Sequence, residues 1–354
     1  NSNFKPLPFS FDRASSATVV NKAGLIETVG SGEPRIDYKD DSKGALLLEP
    51  QSTNLFPYSE DFSNGVWTKS NTTVTSGFTS PDGTANAFKF QGTVIGSYIE
   101  SALIHIGVGD GSLSIYVRSS LSNQKFKLNW TDGGAGVISS TEFTATNEWV
   151  RYEFSNEIYA SSFYHKIIST TENLDIEIFG ASFELQSYAT SYIPTQGGVV
   201  TRVADACSQT PPSGVIGQTE GTMFLDFNID DISLQTQDPV LMYLKNSSGI
   251  TSYFEMYDNG NFVVVHINSG SITLTKNGLT DGRHKAAFAY KDNDFAFYVN
   301  GTLAGTHTNF TVASSQTEVG LQYTSPFYTG KQSVNDLKLY NTRLSNAELQ
   351  ALTT

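Results

Sequence analysis

The chain has 354 residues, 35 acidic against 22 basic, for a formal net charge of −13. Basic residues scattered through an acidic chain offer no stripe for a phosphate backbone, which excludes nucleic acid as a partner. A single cysteine excludes an intramolecular disulfide and a multi-cysteine zinc site, and no apolar run reaches the ~18 residues of a membrane span, so membrane insertion is not expected.

This length exceeds what one compact core serves, and charged residues make up only 16%, below the ~25% usual in soluble domains. Ser, Thr, Asn and Gly carry the surface instead, a composition that suits strands and turns. The chain opens on Asn1 rather than Met, as expected of a piece of a longer polypeptide. Residues 49–60, with Pro50 and Pro57, close an N-terminal segment. Within 112–119, Leu113, Ile115 and Val117 alternate with polar residues and predict a half-buried strand. Residues 194–217 read as a linker containing Cys207, an incidental thiol. A meander of short strands follows: 222–228, 253–257, 262–267, 285–290, 294–300 and 334–340. Asp258-Asn259-Gly260-Asn261 and Asn300-Gly301 predict tight turns within it, and Arg283-His284-Lys285 reads as an exposed turn. The one helix signal is terminal, where Ser345-Asn346-Ala347-Glu348 forms a capping box ahead of Leu349 and Leu352. The expected architecture is all-β: tandem antiparallel β-sandwiches, with a small N-terminal β segment over 1–55, domains over 56–205 and 206–354, and a short C-terminal helix.

Several ordered motifs carry a resemblance. They include Phe11-Asp12-Arg13-Ala14-Ser15-Ser16, Pro34-Arg35-Ile36-Asp37-Tyr38, Leu46-Leu47-Leu48-Glu49-Pro50 with Ser52-Thr53-Asn54-Leu55, and Tyr58-Ser59-Glu60. Gly180-Ala181-Ser182-Phe183-Glu184, Thr190-Ser191-Tyr192-Ile193-Pro194-Thr195, Thr201-Arg202 and Asp205 continue the series. Residues 9–205 thereby resemble bacteriophage structural and fibre proteins whose central region is a jelly-roll like that of carbohydrate-binding modules. Residues 215–354 resemble a concanavalin A-like, laminin-G-type lectin sandwich, through Glu220-Gly221-Thr222, Phe297-Tyr298-Val299-Asn300-Gly301, Glu318-Val319-Gly320 and Asp336-Leu337-Lys338-Leu339-Tyr340.

Hydrolytic chemistry on such folds needs paired carboxylates. Jelly-roll β-glucanases carry Glu-x-Asp-x-Glu on one strand face, but here Asn173 stands first, ahead of Asp175 and Glu177, so the nucleophile is missing. His105, His165, His266, His284 and His307 show no metal-ligand spacing and read as surface or strand-edge residues, and no nucleophile elbow is present. The chain is therefore expected not to be an enzyme. The resemblance does allow a structural Ca²⁺ with its ligands unassigned; Asp61, Asp82 and Glu184 sit in its motifs, and Asp292 and Asp294 flank a hairpin turn. Sugar binding needs aromatic platforms, because a pyranose face stacks on a ring. Trp130, Tyr323 and Tyr328 lie in expected loops and are the glycan-binding candidates, whereas Trp67 and Trp149 read as core.

These readings converge on a non-catalytic bacteriophage virion protein, a head or tail fibre on the virion surface or otherwise extracellular. It would present lectin-like sandwiches to a host-surface polysaccharide or glycan and assemble with other virion proteins as a homotrimer. The alternative is the carbohydrate-binding region of a secreted bacterial polysaccharide-degrading enzyme, and a depolymerase site within one sandwich is a third reading.

Overall fold

The computed structural model describes residues 9–105, 109–132, 137–158, 162–211, 214–229, 238–257, 260–323 and 330–354. Apart from the helix Asn346–Thr353, its regular elements are strands, and every strand pairing is antiparallel. No helix among the described residues is long and apolar enough to cross a membrane. The chain divides into two compact units. A C-terminal unit comprises Asn1–Ala14, Gly30–Pro50 and Val203–Thr354, and a central unit comprises Ser15–Val29 and Gln51–Arg202. Residues 1–55, expected as a segment of their own, are thus shared between the two units. The physical reason is size: so short a segment cannot enclose a core, and its strands Ser10–Asp12, Ile36–Asp37 and Ala45–Leu48 are completed by joining larger sheets.

In the C-terminal unit, one seven-stranded sheet runs Ser10–Asp12, Ala206–Gln209, Glu318–Leu321, Val240–Asn246, Gly249–Met256, Phe262–Ile267, Ser271–Lys276. The other runs Thr302–His307, Phe295–Val299, Gly282–Lys291, Glu220–Ile229, Gln332–Tyr340, Ala45–Leu48, Ile36–Asp37. Met223, Leu225, Phe227 and Ile229 alternate into the core between them, against residues such as Met242, Leu244 and Phe254. Phe224 points the other way, into a patch with Ala287, Ala289, Ala296 and Tyr298 that Leu349 of the helix covers. The alanines leave room for the helix to approach, which explains why Phe295–Val299 is buried on both faces. Ser345 and Glu348 cap that helix reciprocally, at 2.7 and 3.3 Å. Asn300 and Gly301 both take positive φ, 49° and 71°, in the hairpin turn they predict.

The linker expected over 194–217 contains two strands, Val200–Arg202 and Ala206–Gln209. Cys207 lies in the second, 2% exposed within the core, and burial pushes its thiol up to about 12. Arg283-His284-Lys285 likewise belongs to a strand. Asp226 grips the Arg283 guanidinium at 2.7 and 2.9 Å, and Asp41 meets it at 3.1 Å. Asp258 and Asn259 lie outside the described residues.

A chain of buried charges joins the three sequence segments of this unit. Arg13 Nη1 donates to Asp205 Oδ1 at 2.9 Å, Arg35 Nη2 donates to Asp205 Oδ2, and Arg35 Nη1 donates to Glu49 Oε2 at 2.7 Å. Their side chains are at most 6% exposed. Arg13 also donates to the carbonyls of Gly30 at 2.6 Å and Glu33 at 3.2 Å, and the Glu49 N–H donates to Asp205 at 2.9 Å. Burial alone would lower the Arg35 guanidinium, but Glu49 and Asp205 hold it above its ordinary value.

Beside the two-stranded pairs Ser52–Asn54/Val200–Arg202 and Ala17–Val20/Ile26–Val29, the central unit has two large sheets. One runs Val137–Thr144, Lys125–Asp132, Ser162–Ser169, Tyr98–Glu100, Thr68–Ser70, with Ile104–His105 also paired to Ser162–Ser169. The other runs Val150–Ile158, Gly109–Arg118, Leu174–Glu184, Ala87–Gly92, Thr72–Phe78. Leu113, Ile115 and Val117 point into the core as their alternation predicts. Hairpin Ala17–Val20/Ile26–Val29 belongs to this unit, and Thr18 Oγ1 donates to the Tyr192 carbonyl at 2.5 Å.

Replacing Arg35 by Ala would leave Glu49 and Asp205 short of a buried counter-charge. The variant is expected to lose about 3–5 kcal/mol of C-terminal-unit stability. Scanning calorimetry of the full chain checks this, and a loss below ~1 kcal/mol would show that the network is not what holds these segments.

Candidate functional site

The three aromatic candidates do not form one site. Trp130 is not in a loop: the strand Lys125–Asp132 runs through it, and the ring is fully buried among Phe154, Phe163 and Phe183. Phe126, Leu128 and Trp130 share the inward face at period two, so Trp130 cannot stack on a sugar. Tyr323, in the C-terminal unit, is half-buried with its ring edge-on to Tyr243 at 5.5 Å. Tyr328 lies outside the described residues. Trp67 is core as expected, whereas Trp149 is half-buried under the Arg118 guanidinium at 4.8 Å.

The same alternation that buries Trp130 builds a polar face on the other side of its sheet. Along Ser162–Ser169 the residues Phe163, His165, Ile167 and Ser169 are buried, and Ser162, Tyr164, Lys166 and Ile168 are half-buried. Directly paired residues share a face, so register extends the surface sideways. Tyr98 and Glu100 lie opposite Ile168 and Lys166, while Lys127, Asn129 and Thr131 lie opposite Ile168, Lys166 and Tyr164. Beyond them Glu142 and Ser140 lie opposite Lys127 and Asn129. His105 Nδ1 and Ser162 Oγ are hydrogen-bonded at 2.8 Å along the same face.

Two rings therefore stand on this face, roughly 13 Å apart along the strand direction at ~3.3 Å per residue. Between them Lys166 is held by Glu100 at 2.5 Å and by the Tyr98 ring at 4.7 Å from its centroid. Asn129, next to Lys166, is 3% exposed and its Oδ1 has no hydrogen-bond partner, and the same holds for Thr131 Oγ1 at 5% exposure. Rings flanking an ammonium and a carboxylate match the amphipathic faces and hydroxyls of saccharides, while the Asn129 and Thr131 groups lie beneath that surface. Sequence reading missed Tyr98 and Tyr164 because it looked for platforms in loops; the period-two pattern of 162–169 was the available signal.

The carboxylates of the glucanase-like motif are each held in an ion pair. Asp175 pairs with Lys89 at 3.0 Å and Glu177 with Arg118 at 2.7 Å. His165, His266 and His284 are buried on strands rather than at the surface, because their positions face inward. His266 meets Ser252 Oγ at 2.7 Å, in the manner of a base beside a nucleophile. However, the Ala313 N–H donates to His266 Nε2 at 3.1 Å, so the neutral ring carries its proton on Nδ1 and donates to the serine instead of accepting from it. Burial lowers the ring to about 4.

Among the described residues no three His, Cys, Asp or Glu side chains gather as metal ligands. Asp61 accepts from Ser63 N at 3.0 Å, Asp82 from Thr84 N at 2.7 Å, and Asp292 from Val312 N at 2.7 Å. Glu184 accepts from Ser52 Oγ and Thr190 Oγ1 at 2.6 and 2.5 Å, and Asp294 pairs with Arg343 at 2.8 Å. These carboxylates do not converge, so the residues present do not fit the expected calcium centre.

No family model matches the chain, and no curated protein matches it. Among solved structures, the CBM40 module of a Ruminococcus gnavus IT-sialidase aligns at 17% identity with a TM-score of 0.33, covering 39% of this chain and 84% of the module. The same module bound to α2,3-sialyllactose aligns at 18% identity and a TM-score of 0.33, over 39% and 84%. The binding domain of botulinum neurotoxin DC in complex with SialylT aligns at 9% identity and a TM-score of 0.37, covering 42% of this chain and 39% of that one.

Trp130→Ala is expected to cost the central unit about 3–5 kcal/mol, the penalty for emptying a core site. Thermal unfolding checks this. Loss of ligand binding with unchanged stability would instead place the ring on the surface.

Proposed function

We propose that the chain is a non-catalytic glycan-binding protein whose central unit holds saccharides on the outer face of the sheet carrying Tyr98 and Tyr164. The single observation that carries this reading is the placement of those two half-exposed rings around the Lys166–Glu100 pair. The rings supply stacking, and the charged groups fix hydroxyl positions. Lys166 is neutralised by Glu100, and a net charge of −13 repels polyanions, so the face favours neutral over acidic saccharides. The likeness of residues 9–205 to phage structural proteins supports a fibre of a virion, attaching to a host-surface glycan as part of a homotrimer. An acidic, Ser/Thr/Asn-rich surface suits that exposed setting.

Tyr98→Ala and Tyr164→Ala are each expected to weaken binding to a neutral polysaccharide about tenfold, ~1.4 kcal/mol, without lowering the thermal midpoint. Titration calorimetry or affinity electrophoresis measures the loss. Wild-type affinity should change little between about 0.1 and 1 M salt. Wild-type affinity retained by both variants, or release of reducing sugar, would sink the reading. For the fibre assignment, light scattering should find a stable oligomer; a clean monomer at micromolar concentration would count against it.

A further inference from the structure

His165 sits on the inward side of the strand that displays Tyr164 and Lys166 outward. It is 2% exposed, and neither ring nitrogen has a hydrogen-bond partner. Phe183 lies 3.9 Å from it between ring centroids, Phe56 meets it edge-on at 5.4 Å, and Trp130, its cross-strand neighbour, lies at 5.9 Å. Each element packed against the ring presents apolar groups: Phe56 and Trp67 before the first strand of this sheet, Leu113 and Ile115 from Gly109–Arg118, Leu128 and Trp130 from Lys125–Asp132, and Ala181 and Phe183 from Leu174–Glu184. Ser101 Oγ accepts from the His165 backbone N–H at 3.1 Å and donates to the Ala102 carbonyl at 2.9 Å, away from the ring. Lys166, which also borders this small cavity, carries its ammonium away to Glu100. No titratable side chain among the described residues faces the imidazole to hold a second proton.

We propose that His165 makes the binding face acid-labile: the ring takes up a proton only when the strand Ser162–Ser169 leaves the core, and Tyr164 and Lys166 then lose their positions. A buried imidazolium would carry a charge and two donors with no acceptor to meet them, which a core does not tolerate. In keeping with that geometry, burial holds the folded ring at about 3, against 6.5 ordinarily. The unfolded chain binds this proton below about 6.5 and the folded one does not, so stability falls with pH in that window. The folding equilibrium of the central unit drops by close to tenfold per pH unit from about pH 6 towards 3 and is untouched above about 7. The loss of ligand rests on the glycan-binding reading; the loss of structure does not.

Trp67, Trp130 and Trp149 are the chain's three tryptophans, and all lie in the central unit, so their emission reports this unit selectively. Acid titration of the full chain is expected to red-shift that emission and release an immobilised neutral polysaccharide over the same pH range. His165→Leu should move both midpoints down by about one pH unit. Comparing the two proteins removes the contributions of Glu60 and the other titratable groups, which they share. Coincident emission midpoints would overturn the proposal. Should the variant fail to fold at pH 7.5, NMR titration of wild-type His165 decides: a ring titrating near 6.5 in the folded protein overturns it, and one that stays neutral down to acid unfolding supports it. Retention of no polysaccharide at any pH would refute the glycan reading alone, with the emission arm still deciding the acid response.

Discussion

The C-terminal unit depends on the run of charges Arg13–Asp205–Arg35–Glu49. Each of these groups would be intolerable alone in a dry core, and each is acceptable only because the next one is present. Asp205 lies 170 residues from Arg35 and 192 from Arg13, so the demand for pairing acts across the sequence. It draws segments 1–14 and 30–50 to the sheets built by 203–354, where Ser10–Asp12 extends one sheet and Ala45–Leu48 and Ile36–Asp37 extend the other. Hydrophobic area alone would not select those edges, because several other strands of similar composition are available to pair.

The central unit meets the same demand around Asn54 and around Glu184, which lies 3.9 Å from the Arg151 guanidinium. Asn54, fully buried, donates to the carbonyls of Ala181 and Ile193 at 3.1 and 2.8 Å and accepts from the N–H groups of Phe56 and Phe183 at 3.1 and 3.2 Å. Glu184 is saturated by Ser52 and Thr190. The motifs that carry the sequence resemblance therefore supply structural fasteners: Arg13, Arg35, Glu49, Asn54, Glu184, Thr190 and Asp205 hold segments together. Buried polar groups of this kind are demanding, since each needs its own partner, and that explains why such short stretches of sequence are distinctive without being a ligand site.

What could be read from the sequence was local. The alternation at 113, 115 and 117, the Asn300-Gly301 turn and the Ser345–Glu348 box each state a conformation within a few residues, and each is present. What could not be read was partner choice. Nothing near Arg35 says that its carboxylates lie at 49 and 205, and so residues 1–55 looked like a segment apart. Trp130 shows a subtler failure: it reads as a loop residue, although Phe126 and Leu128 already set the inward phase that includes 130. Applied one strand further, that phase would have buried His165 and exposed Tyr164. The candidate site was thus within reach of the alternation rule, but its assembly from Tyr98 and Tyr164 needed the strand order.

Unsatisfied polar atoms are costly, and in the central unit several of them fall on two adjacent strands. Asn129 Oδ1 and Thr131 Oγ1 are on the outer face, with Trp130 Nε1 and both nitrogens of His165 on the inner. Residues that depart from complete hydrogen bonding mark places where a fold is held by something other than its own optimum. Here the departures lie on both sides of one pair of strands, so whatever shifts the inner row must also shift the outer. A pleated strand leaves no freedom for the two to move separately, because its successive residues are fixed to opposite faces of one backbone. A charge placed on 165 would be felt at 164 and 166.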